Sequence, residues 1–279
     1  MKSKLIAIMA VVLLLSLLNS CGCSRGSKTF VDMMKKVPVE STFFSYWAIS
    51  GLSADEELQN MYAKFRESTE AKQLKDIGVV LFTLRHSAKA SGSDSSVTVL
   101  GGDFNVKDLE RRLEVKGYKE TTYRGIGIWT PQDGGEYNPL ALQDDSILIG
   151  KTEDLKSCID TMDQEQEYSL YEDQDIKWLT DKLPEGLIVN VYKAAPAYGE
   201  AYADLIAYGR SYKKEDQGRL KLIAVYMFQD NLTAGNAEAE IKDHLATEKF
   251  VDVRLERDGG FVKATAYIDI TDFAQTLSF

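Results

Sequence analysis

Gly150-Lys151-Thr152, between an apolar run and a helical pattern, has the residue types that end a phosphate-binding loop, where backbone amides and a lysine hold the anion. That loop also requires a glycine five positions before Gly150. Position 145 is aspartate, whose charge repels phosphate, and Thr152 as a helix N-cap accounts for the triplet. The two histidines, His86 at a strand end and His244 on the wet side of a helix, lack the spacing of a paired metal site. No GxSxG or HExxH pattern occurs. Asp144-Asp145 fits a hairpin turn better than a carboxylate dyad. Glu172, Asp173 and Asp175 lie in an acidic stretch without the glycine and terminal glutamate of a calcium loop. Of three cysteines, Cys158 occupies an apolar helix position beside Leu155, Ile159 and Met162, so neither a disulfide framework nor a cysteine metal site is supported. These residues assign no catalytic, cofactor or metal role, and the chain reads as a protein that is not an enzyme.

The remaining thiols, Cys21 and Cys23, follow a different kind of signal. Lys2 and Lys4 precede an apolar run from Leu5 to Leu18, shorter than the roughly 20 residues that span a bilayer, so residues 1–20 read as a signal peptide. Leu18-Asn19-Ser20-Cys21 resembles the lipobox of bacterial lipoproteins. The resemblance implies export, diacylglyceryl attachment to the Cys21 sulfur, cleavage before Cys21 and acylation of the new N-terminus. The membrane partner is then the covalent lipid itself, with the body of the protein outside the cytoplasm. Ordinary secretion with cleavage after a small residue is the alternative. Two or more acyl chains, at about 0.8 kcal/mol per buried CH2, hold a protein on a membrane where one does not. Residues 21–28, including Gly22 to Lys28, form a Gly/Ser-rich polar tether.

Charge narrows the partners further. The formal charge of −10 becomes −12 once residues 1–20, with two lysines and no acid, are removed. Such a chain lacks the basic footprint of nucleic-acid binding and the polybasic patch of peripheral membrane adhesion.

The positioning elements fall into two stretches, 29–165 and 166–279, each expected to be an α/β lobe. Ser41–Ser50 reads as a buried strand, and a capping box at Ser53 to Glu56 opens a helix carrying Leu58, Met61, Tyr62 and Phe65. Gly78–Leu84 is expected as a strand, Ala88–Ser95 as a turn-rich connection, and Asn105 as the cap of a helix with Leu109, Leu113 and Val115 on one side. A strand over Tyr118–Thr130 pairs with Leu140–Gly150. An acidic linker, Asp163–Asp175, marks the lobe boundary. Lys182-Leu183-Pro184-Glu185 then echoes Lys36-Val37-Pro38-Val39-Glu40, and Val97–Trp129 shares its strand, helix, strand order with Leu220–Ile268, the sign of an internal repeat. The hairpin Val251–Arg257 and Phe261–Ile270 turns at Asp258-Gly259-Gly260. The fold class is α+β, two related lobes of mainly antiparallel sheet with helices packed on one face.

Pro196–Lys213 is expected to be a helix in which Tyr198 and Tyr202 share one face and Tyr208 and Tyr212 another. Two aromatic faces do not both enter one core, so one is a candidate contact surface for a protein or glycan. Packing inside the protein is the competing reading, and the favoured one.

The run Val97–Asp160 also resembles a family of exported bacterial proteins and lipoproteins known only as a domain of unknown function. The features carrying it are Gly-Asp-Phe at 102–104 before a helix, Gly117-Tyr118 after it, Tyr-Arg-Gly-Ile at 123–126, and an apolar strand ending at Gly150 before a second helix. That resemblance implies an extracytoplasmic α/β protein and carries over no site residues. The expected function is a lipid-anchored binding or envelope-organising protein. The alternatives are an envelope hydrolase whose carboxylates come from loops, and a solute receptor, which would need parallel Rossmann-like lobes.

Overall fold

The computed structural model describes residues 28–132, 137–163, 168–193, 202, 204–215 and 218–277. Cys21, Cys23, the signal peptide, most of the tether and Tyr198 lie outside them.

The chain begins with α1 (Thr29–Met34) and β1 (Phe43–Trp47), followed by α2 (Ile49–Ala54), α3 (Gln59–Glu67) and α4 (Thr69–Asp76). The hairpin of β2 (Leu84–Ser91) and β3 (Ser96–Gly102) leads to α5 (Val106–Val115), then β4 (Tyr118–Tyr123), β5 (Ile126–Pro131), β6 (Leu140–Leu142) and β7 (Ser146–Gly150). After α6 (Thr152–Asp163) and α7 (Gln174–Lys182) come β8 (Ile188–Lys193), β9 (Leu205–Lys214) and β10 (Arg219–Phe228). α8 (Asn231–Thr247), the hairpin β11 (Val251–Asp258) and β12 (Phe261–Asp269), and α9 (Ile270–Thr276) complete it.

All twelve strands join one sheet in the order β11-β12-β10-β9-β8-β1-β2-β3-β7-β6-β5-β4. Every pairing between these strands is antiparallel. The parallel lobes of a solute receptor are therefore not present among the described strands. Read outward from the central β1–β8 pair, one side runs β1-β2-β3 and ends β5-β4, while the other runs β8-β9-β10 and ends β12-β11; β7 and β6 are inserted on the first side only. In both halves a helix follows the third strand and a hairpin follows the helix.

Period-two alternation in the strands feeds two separate apolar layers. Trp47, Leu100, Ile147 and Ile149 pack on one face with α3, α4, α5, α8 and α9. Phe44, Tyr46, Val97, Val99 and Leu148 pack on the other with α1, α6 and α7. The helices thus cover both faces, correcting the expectation of one. β3 and β7 carry apolar residues at successive positions because both of their sides are roofed. The outer strands β4 and β11 present long exposed runs instead.

Local signals explain where helices begin. The Asn105 side chain accepts from the Asp108 amide, Asp173 from Asp175 and Ile176, and Asp230 closes a capping box with Thr233. Burial of Leu109 and Leu113 then docks α5. Val115 points outward, 85% exposed.

Three further expectations are corrected. Gly78–Leu84 is not a strand: Gly78 has φ +82° after α4, Leu81–Thr83 forms a 3-10 turn, and the strand starts at Leu84. Tyr118–Thr130 is not one strand but a hairpin, because Arg124 and Gly125 both take positive φ (47° and 80°), the conformation of a tight two-residue turn. Pro196–Lys213 is not the expected helix, since residues from Leu205 onward form β9, paired with β10 and, over Ala207–Tyr212, with β8.

Candidate functional site: a lysine-rimmed groove

β9 fixes the fate of the tyrosines. On a strand, residues four apart share a face, so Tyr208, Arg210 and Tyr212 all point to the layer beneath α8. Tyr208 stacks between Tyr192 (centroids 4.4 Å apart, planes at 2°) and Tyr226 (5.8 Å, 10°), and Tyr212 meets Phe273 at 4.5 Å. Tyr202, Tyr208 and Tyr212 are 1%, 2% and 3% exposed. The contact surface expected of Tyr202, Tyr208 and Tyr212 does not form: β9 sends Tyr208 and Tyr212 into the core, and Tyr202, ahead of the strand, is buried in the same layer. Burial pushes the Tyr212 hydroxyl up to about 12. Between them Arg210 meets Glu248, the residue closing α8, with Nη1 2.9 and 3.2 Å from the two carboxylate oxygens. Its Nε and Nη2 are buried without a hydrogen-bond partner.

The opposite face of β9 lines a groove of about 780 Å³ between α7 and the outward side of β9, β10 and β12. That volume lies in the range of roughly 300–1,000 Å³ typical of small-molecule sites. Val31, Leu183, Pro184 and Ile223 give it apolar walls. Five lysines surround them, Lys28, Lys182, Lys213, Lys221 and Lys263, against two lining acids, Asp181 and Glu215.

The ladder explains how the lysines converge. Lys213 pairs directly with Lys221, and Ser211 with Ile223, which pairs in turn with Thr265. Directly opposed residues lie on one face with Cβ atoms about 4.5–5.5 Å apart, and like charges there repel. Lys221 reaches Glu215 only at 3.8 Å, Lys263 reaches Glu256 at 3.7 Å, and Lys182 pairs with Asp258 at 3.1 Å. Lys213 has no acidic partner among the described residues. Lys28 is already engaged, donating to the Thr180 and Leu183 carbonyls at 2.6 and 2.5 Å at the end of α7.

Ser211 stands at the back of the groove, 1% exposed, its hydroxyl without a partner. The chain crosses close above it at Gly186, where an added Cβ would fall 2.4 Å from Ser211 Oγ. With no base in hydrogen-bond reach, Ser211 is not set up as a nucleophile.

The other sequence candidates stay apart from this groove. His86 lies half-buried on β2, and burial, with Arg85 and Lys36 nearby, holds it below the usual imidazole range. Asp145, between β6 and β7, is paired with Lys36 at 2.8 Å, and Ser146 Oγ donates to it at 2.8 Å. His244 is 3.4 Å from Glu248 on α8. Lys151 donates to the Asp94 carbonyl at 3.2 Å and no anion cradle surrounds it. Asp173 caps α7 and pairs with Lys193 at 2.6 Å. No group of histidine, cysteine or acidic residues among the described ones is arranged to hold a metal ion.

Cys158 is fully buried under α6, and burial pushes its thiol up to about 12. In native buffer it should therefore resist a thiol reagent such as DTNB, reacting only on unfolding. Fast reaction of Cys158 in the folded protein, followed by peptide mapping, would contradict this packing.

The fold defines an α+β protein built on one antiparallel sheet. No family model matches the chain, and no curated protein matches it significantly. Among solved structures, crystal form III of TP0453 superposes with a TM-score of 0.57 at 10% identity, covering 87% of this chain and 96% of that one. Crystal form IV of TP0453 gives 0.56 at 8% identity, covering 88% and 96%. At these identities the likeness is one of fold.

Proposed function

We propose that this chain is a lipid-anchored, extracytoplasmic binding protein without catalytic activity, made of two related lobes merged in one sheet. The observation that carries the reading is the groove, an open, preformed cavity with apolar walls and a basic rim in a chain of net charge −10. Its position fits an anchored protein, because Lys28, at the end of the tether, lines it. Lys28 lies seven positions after Cys21, and at roughly 3.3–3.6 Å per extended residue that span reaches no further than about 25 Å. A lipid on Cys21 would hold the groove beside the bilayer. The matching outward order of strands from β1 and β8 supports two related lobes, 29–165 and 166–279. Binding is favoured over hydrolysis because five lysines outnumber the two lining acids and the Ser211 hydroxyl is unactivated.

The anchor is tested in the native cell. An alkyne-tagged fatty acid should label the wild-type protein, and Cys21→Ser should abolish the label and move the protein out of the membrane-lipid fraction. Persistence of the label, or of unprocessed protein in that fraction, would reject the reading.

A further inference from the structure

We propose that the groove holds the headgroup of one anionic lipid, with Lys213, Lys221 and Lys263 around its phosphate and the start of an acyl chain along Ile223, Val31 and Leu183. The proposal rests on the anchored binding reading and adds the chemical class of the ligand. The strand ladder points to an anion. Lys213 and Lys221 are directly opposed on neighbouring strands, a like-charge pair that costs stability unless something negative lies between them. The nearest lining acid, Glu215, meets only Lys221, and at 3.8 Å. The rim acids Glu256 and Asp258 are engaged by Lys263 and Lys182. Ser211 lines the same cavity, but its hydroxyl lies covered by the chain at Gly186, so the lysines alone meet the phosphate.

The apolar walls argue against a bare inorganic anion, which would leave the half-buried Ile223 facing water. A phosphate bearing hydrocarbon uses both halves of the groove. The tether delivers the groove to the place where such molecules are held, and the charge of its lysines locally opposes the repulsion that the rest of this acidic chain experiences at an anionic surface.

The test uses the full-length chain in nanodiscs of equal phosphatidylglycerol and phosphatidylcholine, released and weighed by native mass spectrometry. Wild type should retain one phosphatidylglycerol per chain in clear preference to phosphatidylcholine. In the double variant Lys213→Gln, Lys221→Gln that adduct should fall about tenfold or more, since charge-assisted hydrogen bonds are lost. The ligand-free variant should melt no lower than wild type, because the substitution also removes a repulsion; a merely structural pair would not give weaker binding with undiminished stability. Equal retention of both lipids, an unchanged adduct in the variant, or displacement of the lipid by millimolar inorganic phosphate would overturn the proposal. Repeating the measurement on Cys21→Ser separates it from the anchor: lipid retention there with no acylation of wild type in the cell would reject the anchor alone.

Discussion

Glu248→Ala is expected to destabilise the protein by about 3–5 kcal/mol, the cost of leaving a buried charge without its counter-ion. Arg210 sits in a layer of tyrosines with only 10% of its side chain exposed, and Nη1 donates to Glu248 Oε1 and lies 2.9 Å from Oε2. Two of its other nitrogens already have no partner, so the carboxylate supplies most of what offsets desolvation. Denaturant titration of the variant should show the midpoint falling with an unchanged slope. Replacing both partners, Arg210→Met with Glu248→Leu, should recover most of the loss, because no charge then remains to be neutralised. A single variant within about 0.5 kcal/mol of wild type would mean that solvent reaches the guanidinium.

Tyr208→Ala is expected to cost about 3–5 kcal/mol by removing a large buried ring from a packed layer. Tyr208 is the middle of a three-ring stack that crosses β8, β9 and β10, so its loss leaves Tyr192 and Tyr226 facing a void. Thermal unfolding distinguishes this from a surface role directly. An exposed aromatic changes stability by no more than about 0.5 kcal/mol when truncated, and a result that small would return Tyr208 to the surface.

Sequence favours packing for Tyr208 but sets it on a helix, for a physical reason. A spacing of four residues puts side chains on one face of a helix and equally on one face of a strand, so Tyr208 and Tyr212 satisfy both periods. What decides is the neighbours: Leu205 to Lys214 gains two flanking strands, and ladder hydrogen bonds override the helical pattern. The same misreading concealed the groove. With Ser211 and Lys213 on a helix, nothing brings them opposite Ile223 and Lys221, although alternation of Leu220 and Leu222 with Lys221 and Ile223 was visible. Elements with local punctuation were legible, such as α5 between Asn105 and Gly117, and the β11–β12 hairpin at Asp258-Gly259-Gly260. The central β1–β8 pair was not. Phe44 and Val191 meet across the sheet from distant parts of the chain, and no local pattern encodes such a partner.

The two outermost strands bear on how copies of the chain would meet. Molecules tethered by the proposed lipid on Cys21 would lie side by side at high local density, where an unpaired strand invites its neighbour to extend the sheet into a filament. β4 offers Lys119 and Glu120 among its exposed residues, and β11 carries Asp252, Arg254, Glu256 and Arg257, with a register break after Val251 where Asp252 takes φ +55°. Charge at both margins and a kink at one make open-ended stacking unfavourable, so neighbouring copies should remain separate particles even when packed edge to edge.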